Sequence, residues 1–177
     1  YTQHLKDGFP LYGGFAQGLS IMQIPPLDLK QVEIIKGSSS SLYGSDAIAG
    51  IINLISKQPQ EKHELTFLAN QTSLGGTNGD VYFSKRWKKF GFSFLSANNF
   101  QNAKDVNKDG FSDVPATKTF NIAPVFYYYI NPSTTFRFGV NGTYDYRKGG
   151  DMFVLNRHPD SLHQYFEENN SNRFSSQ

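Results

Sequence analysis

The chain has no cysteine, a single tryptophan and two methionines among its 177 residues. Without cysteine there is neither a disulfide framework nor a thiolate metal cluster, although that absence does not choose a compartment. There is no surplus of one charge: 17 basic residues face 15 acidic ones, for a formal net charge of +2. That removes any general electrostatic case for binding nucleic acid. No apolar run approaches the roughly 18 residues of a membrane-crossing helix, and no secretory leader is visible. Residue 1 is tyrosine, and "YTQHLKDGFPLYGG" starts inside a structured-looking pattern. The chain therefore reads as a piece of a longer protein, and its missing targeting signals carry no weight.

Aromatic residues are abundant, with 16 Phe and 10 Tyr beside many Asn, Ser and Thr. A soluble α/β enzyme rarely uses so many rings in so polar a sequence, whereas a β-sandwich or a membrane barrel does. The composition changes near "SKQPQEKHE", Ser56 to Glu64, where Pro59 and a charged cluster mark a boundary. Before it the apolar residues are mostly Ile, Leu and Val. The pattern predicts a turn at "KDGFPLYGG", a strand at "KQVEIIKG", a short helix over "SSSLYGSDAIA" capped by Ser38 or Ser39, and a strand at "GIINLISK". Leu42 and Ala47 would face the core of this small mixed α/β unit.

After the boundary, Phe and Tyr recur with period two. Leu65, Phe67 and Ala69 alternate with Glu64, Thr66 and Leu68. Val81, Phe83 and Trp87 oppose Tyr82, Ser84 and Arg86, and Phe90, Phe92 and Phe94 oppose Gly91, Ser93 and Leu95. Phe120, Ile122, Phe126, Tyr128 and Ile130 share a side, as do Phe136, Phe138, Val140 and Tyr144 opposite Arg137, Asn141, Thr143 and Asp145. Short turns at Lys88–Lys89 and Asn131–Ser133 lie at one end of these strands. Long polar loops over Gln101–Lys118 and beyond Tyr146 lie at the other. An up-and-down membrane barrel has this asymmetry. A soluble sandwich explains the alternation nearly as well, and Trp87 and Phe90 beside the lysine turn fit an interfacial belt or a sandwich edge equally.

Several chemical motifs fail on inspection. Counting from Gly37, the sixth position of a phosphate-binding loop is Leu42, and Gly44 is followed by Ser45 and Asp46 in place of Lys-Ser/Thr. The segment is therefore a packing unit. "DVNKDGFSD" places Asp105, Asn107, Asp109, the Phe111 carbonyl and Asp113 at alternate positions of a calcium loop with Gly110 at the turn. The bidentate glutamate is missing, since Ala116 stands there, and alternating Asp and Asn also make Asx turns. A weak structural Ca²⁺ loop and a plain solvated turn remain as alternatives, and no cofactor is required. His4, His63, His158 and His163 match no zinc spacing. No Ser-His-Asp grouping has the context of a nucleophile, so no catalytic residues and no enzyme are expected.

"QVEIIKGSSSSLYGSDAIAGIINLISK", Gln31 to Lys57, resembles the end of the plug domain of TonB-dependent outer-membrane receptors. Val32, Glu33, Ile35, Lys36 and Gly37 match the family's strand-glycine signature. Leu42, Tyr43, Gly44, Ala47 and Gly50 match its short helix and turn, and Ile52, Asn53, Ile55 and Lys57 its last strand. Ser38 stands where proline is common and Ala49 where a second glycine is common, which bears on local stiffness alone. The loop-like "DVNKDGFSDVP", "YDYRKGGDM" and "YFEENNSNRFS" are similar to loops of such receptors from the Bacteroidetes group.

The resemblance implies the C-terminal half of a plug at 1–57, a linker at 58–63, and about five strands of an incomplete transmembrane β-barrel over 64–177, the complete barrel having 22 strands. It implies an outer-membrane transporter of a Gram-negative bacterium, taking up a scarce small molecule such as an iron-siderophore, haem or cobalamin. Its partners would be a TonB-type energy-coupling protein, outer-membrane lipid and lipopolysaccharide, with no nucleic acid. Glu64, Arg86, Arg137, Asn141 and Asp145 would face the lumen, and no substrate-binding residue is assigned. The alternative is a soluble all-β surface module, calcium-stabilised or not, that binds carbohydrate or protein.

Overall fold

A computed structural model describes residues 2–10, 26–37, 50–156 and 161–177. The chain divides into two compact units, Tyr1–Gln58 and Pro59–Gln177.

The first unit is a four-stranded sheet in the order β2-β1-β4-β3, built from β1 (Thr2–Lys6), β2 (Phe9–Pro10), β3 (Leu29–Lys36) and β4 (Gly50–Ser56). β1 and β2 form a hairpin whose two turn residues, Asp7 and Gly8, both have positive φ. This is the mirror-image turn that matches strand twist, and Asp-Gly supplies it at little steric cost. β1 runs parallel to β4, while β3 pairs with β4 antiparallel from Lys36↔Gly50 back to Leu29↔Ser56. A single 3₁₀ turn, Pro26–Asp28, leads into β3. Leu5 and Ile51 make the buried apolar cluster. The short helix expected over Ser38–Ala49 lies outside the described residues.

The second unit is an antiparallel meander in which every strand pairs with its sequence neighbour, in the order β10-β9-β8-β7-β6-β5. Its strands are β5 (Glu64–Gln71), β6 (Thr77–Trp87), β7 (Phe90–Gln101), β8 (Ala116–Asn131), β9 (Thr134–Gly150) and β10 (Phe166–Ser176), with a five-residue helix α1 (Met152–Asn156) between the last two. Mixed plug-like sheet followed by antiparallel barrel strands is thus the architecture. Two corrections to the sequence reading follow. The wall has six strands where about five are expected, because "FEENNSNRFSS", read as loop, pairs with β9 from Phe166↔Gly150 to Ser176↔Val140. The loop expected from Tyr146 begins only after Gly150. Both errors have one cause. A strand segment that stands in water on both faces needs no apolar alternation, so period two vanishes where pairing continues.

Candidate functional site

In the first unit, the strand residues of the glycine signature converge. Asn53 on β4 donates from Nδ2 to Glu33 Oε2 at 3.0 Å, and its Oδ1 accepts from the Gly8 backbone N–H at 3.1 Å. Gln31 Nε2 reaches the other Glu33 oxygen at 2.9 Å. One amide thereby ties β3, β4 and the Asp-Gly turn. Asp7 accepts from the Ser56 N–H at 2.7 Å, and Lys6 pairs with Asp28 at 2.6 Å. Val32 and Lys36 lie along exposed β3, and Gly37 follows it with positive φ. Gly50 has φ +142°, and a Cβ there would come within 2.6 Å of the Ile35 carbonyl oxygen, so glycine lets the two strands close. Leu42, Tyr43 and Gly44, the remaining signature residues, lie outside the described residues. Among the described residues, these polar ties join β1, β3, β4 and the Asp-Gly turn of this unit.

The wall has two chemically distinct faces. On one, cross-strand rows join Leu65 to Phe83 to Phe94 to Pro124, and Phe92 to Phe126 to Phe138. Phe90–Tyr128 and Phe92–Phe126 rings lie 5.1 Å apart, tilted. Most of these side chains remain exposed, including Phe67 at 68% and Phe126 at 52%. A continuous exposed apolar face of this kind requires a cover. Its height identifies the cover. Phe120 to Ile130 on β8 spans about 33 Å at roughly 3.3 Å per residue. A barrel tilt of about 40° converts this to about 25 Å, the height of a lipid-facing band. Asn98, which enters this face, is satisfied within the wall: its Nδ2 donates to the Gly79 carbonyl at 3.0 Å. Trp87 and Phe90, directly paired beside the lysine turn, mark its lower edge.

The opposite face is polar and internally bonded. Asn121 Nδ2 donates to Asn141 Oδ1 at 3.0 Å and Thr143 Oγ1 at 2.7 Å. Thr119 Oγ1 donates to Asp145, which Arg147 also approaches at 3.3 Å. Nearer the short turns, the Arg86 guanidinium sits 3.7 Å above the Tyr129 ring, which stacks on Tyr127 with centroids 6.3 Å apart. Gly91 makes room for this ladder: a Cβ there would stand 3.2 Å from both Tyr127 and Tyr129. Glu64, paired with Ser84, shares this face with Arg86, Arg137, Asn141 and Asp145.

At the long-loop end, the 102–115 connection folds on its own amides. Asp105 accepts from Lys108 and Gly110 N–H at 2.6 and 2.8 Å. Asp109 accepts from Phe111 at 2.8 Å, and Asp113 from Val106 at 2.7 Å. Asn107 Oδ1 accepts from Asp109. The Asn107 and Asp109 bonds, each to the N–H two residues on, are Asx turns, while Asp105 and Asp113 reach further across the loop; among the described residues no group of three or more His, Cys, Asp or Glu side chains is gathered for a metal. The loop docks on α1 through Met152 N–H to Gly110 O at 2.9 Å and an isolated Phe111↔Asp151 bridge. Asp151 caps α1 through the Phe153 N–H at 2.8 Å and meets His163 Nδ1 at 2.6 Å. The His163 hydrogen bond, against some desolvation and aided by the cap, lowers the Asp151 pKa below the ordinary carboxylate value. Glu167 beside Tyr165 raises that phenol. Sequence spacing alone does not reveal the Asp151–His163 pair, because a helix and a loop bring it together.

The family described as "TonB-dependent Receptor Plug Domain" matches residues 1–51. The chain is 32% identical over 93 residues to the vitamin B12 transporter BtuB of Vibrio vulnificus, covering 51% of this chain and 14% of that protein. It is 48% identical over 40 residues to the iron-regulated outer membrane virulence protein of Vibrio cholerae, covering 22% of this chain and 6% of the relative. Among solved structures, the ferric enterobactin receptor of Pseudomonas aeruginosa shares the fold at a TM-score of 0.67 and 16% identity, over 82% of this chain and 25% of that one. The pyoverdine receptor FpvA of the same species matches at 0.64 and 18%, over 84% of this chain and 21% of its own.

Proposed function

Because the chain belongs to the TonB-dependent outer-membrane receptor family, we propose that it is part of a transporter for active uptake of a scarce small molecule. The observation that carries this reading is the joining, on one chain, of a plug sheet to a wall whose apolar face is about 25 Å tall. Six strands leave β5 and β10 as edges, and lipid forbids unpaired backbone groups. The complete barrel therefore recruits further strands, 22 in total on the family pattern, and sits in the outer membrane of a Gram-negative bacterium. The plug unit gates the lumen, and a TonB-type protein in the periplasm supplies the work that remodels it. The polar ties of the plug sheet suit a unit that rearranges without global unfolding.

Ligands of the iron-siderophore, haem or cobalamin class fit this reading. The relatives themselves carry names for vitamin B12 transport and for an iron-regulated outer membrane protein. No bond is made or broken in such a cycle; the work is differential binding between two plug states. The test uses the whole receptor in its native membrane. It is expected in the outer-membrane fraction, with gel mobility that changes on boiling, and with uptake of ferric siderophore or cyanocobalamin that a protonophore abolishes. A soluble receptor without heat-modifiable mobility would refute the barrel. A barrel whose uptake of both ligand classes survives the protonophore would refute energy coupling.

A further inference from the structure

Asp151 stands where the two long connections meet. Its backbone N–H donates to the Tyr165 carbonyl at 3.0 Å, and its carbonyl accepts from Leu155 at 3.0 Å. Its carboxylate caps α1 and meets His163 Nδ1, and the His163 ring stacks on Phe153 with centroids 4.6 Å apart. The 102–115 loop closes on the same place. Ser112 N–H donates to the Gly150 carbonyl at 2.9 Å, Gly150 N–H returns to Ser112 Oγ at 2.8 Å, and the Phe111 and Tyr165 rings lie 6.3 Å apart. The Asp151 side chain is 12% exposed and that of His163 is 42% exposed, so the ring exchanges protons with the medium while its partner is shielded from it.

We propose that Asp151 and His163 form a pH-dependent clasp between the two long loops, tight as a carboxylate–imidazolium pair and loosened when the ring gives up its proton. The proposal rests on the barrel reading, which places these loops outside, in contact with the medium. The two partners bound the closed window from opposite sides. The His163 hydrogen bond, ahead of the other causes, holds the Asp151 pKa down, so its contribution fades only as pH falls below about 4. The imidazolium contributes on the acid side, and its share is lost as pH rises through the histidine range, from about pH 6.5 upward. A charge-assisted hydrogen bond is roughly twice as strong as a neutral one. Beyond the window the neutral ring still donates from Nδ1, so the clasp weakens without vanishing. The surrounding charges have partners of their own. Glu167 accepts from Tyr165, Glu168 lies beside Lys148, and Arg147 pairs with Asp145. Asp105, Asp109 and Asp113 accept N–H groups of their own loop, and α1 carries no titratable side chain. Among the described residues, Lys104 and Lys108 included, His163 is the group whose field acts on Asp151. Arg157, His158 and Asp160 belong to the same connection and lie outside the described residues.

The test uses the whole receptor in mild detergent and follows hydrogen exchange at about pH 6 and about pH 8.5, corrected for the intrinsic rate at each pH. The amides read are Ser112 and Met152, which donate from one loop to the other. Wild-type protection at both is expected to fall about threefold between the two pH values, the charge-assisted share of one partly exposed hydrogen bond. His163→Gln keeps a donor but cannot ionise, and is expected to show the lower protection at both pH values. Asp151→Asn is expected to lose the response as well, whereas His158→Gln is expected to keep it. Equal wild-type protection at the two pH values overturns the clasp, as does a response that survives His163→Gln. A response that His158→Gln abolishes and His163→Gln spares overturns it too, by assigning the titration to the other histidine. In each of these cases intact heat-modifiable mobility leaves the barrel standing. Loss of that mobility in the wild type instead overturns the barrel reading beneath it.

Discussion

Phe126 and Ile130 have the same exposure, 52% each, and lie on the same face of β8. On burial alone, arginine at either position has the same small effect. In a membrane they differ, because Phe126 is near the middle of the apolar band and Ile130 is at its lower edge beside the Asn131 turn. Arginine at the midplane of a barrel costs about 2–4 kcal/mol, falling to about 0–1 kcal/mol near the interface. Phe126→Arg also removes the 5.1 Å ring pair with Phe92, worth about 0.5–1.5 kcal/mol. The expected gap between Phe126→Arg and Ile130→Arg is therefore about 1.5–5.5 kcal/mol, at least about tenfold in the folded ratio. The assay is refolding of the whole receptor into phosphatidylcholine vesicles across a urea series, scored by the heat-modifiable band. Equal losses at the two positions, or a Phe126→Arg variant that folds better than wild type, would refute a lipid-facing wall.

Gly50→Ala forces a Cβ to within 2.6 Å of the Ile35 carbonyl at φ +142°. It should cost about 1–3 kcal/mol and expose the first unit to limited proteolysis while the wall stays heat-modifiable. Gly91→Val pushes Tyr129 from beneath Arg86 and should lower the urea midpoint by the equivalent of about 1–3 kcal/mol, Gly91→Ala by less. Asp151 has a lowered folded-state pKa, so its contribution to loop order is fully present above its unfolded value, near pH 4, and fades as pH falls through the folded one. Protease cleavage of the 151–165 loop should rise at acid pH in wild type, whereas Asp151→Asn should show high cleavage at every pH. Glu33→Gln weakens the carboxylate that Asn53 and Gln31 share and should loosen the first unit by about 1 kcal/mol, read by hydrogen exchange on β3 and β4.

The legible parts of this fold are those where one face meets apolar surroundings and the other does not. Phe90, Phe92 and Phe94 announce β7, and Phe136, Phe138 and Val140 announce β9, because lipid on one side forces period two. Above the band that contrast disappears. Residues 145–150 continue β9 with Asp, Tyr, Arg, Lys and Gly, and β10 carries Phe166 and Phe174 alone among polar residues. Such segments are held by ladder hydrogen bonds, which any side chain permits. Within the site, Glu33 and Asn53 are visible through the glycine signature, but their direct bond depends on the β3–β4 register. The Arg86–Tyr129 contact passes over Gly91, which pairs with Arg86 on one side and Tyr127 on the other. No pattern along the chain encodes either partner, because both are set across strands.

Each strand of the wall pairs with its neighbour in sequence, so the six assemble from short-range contacts and small loop closures. β5 and β10 are the free edges, with outer partners from outside these six strands, and on the proposed barrel that of β5 is the strand furthest along the chain. Joining the β5 edge closes a long loop and carries the corresponding entropy cost, which grows with the logarithm of the intervening length. The seam at β5 is consequently the last contact to form. Until it does, eight residues of open backbone, Glu64 to Gln71, form a template for pairing with any passing strand. Biogenesis of such a barrel is then a race at one edge, between the chain's own distant strand and every other strand in the periplasm.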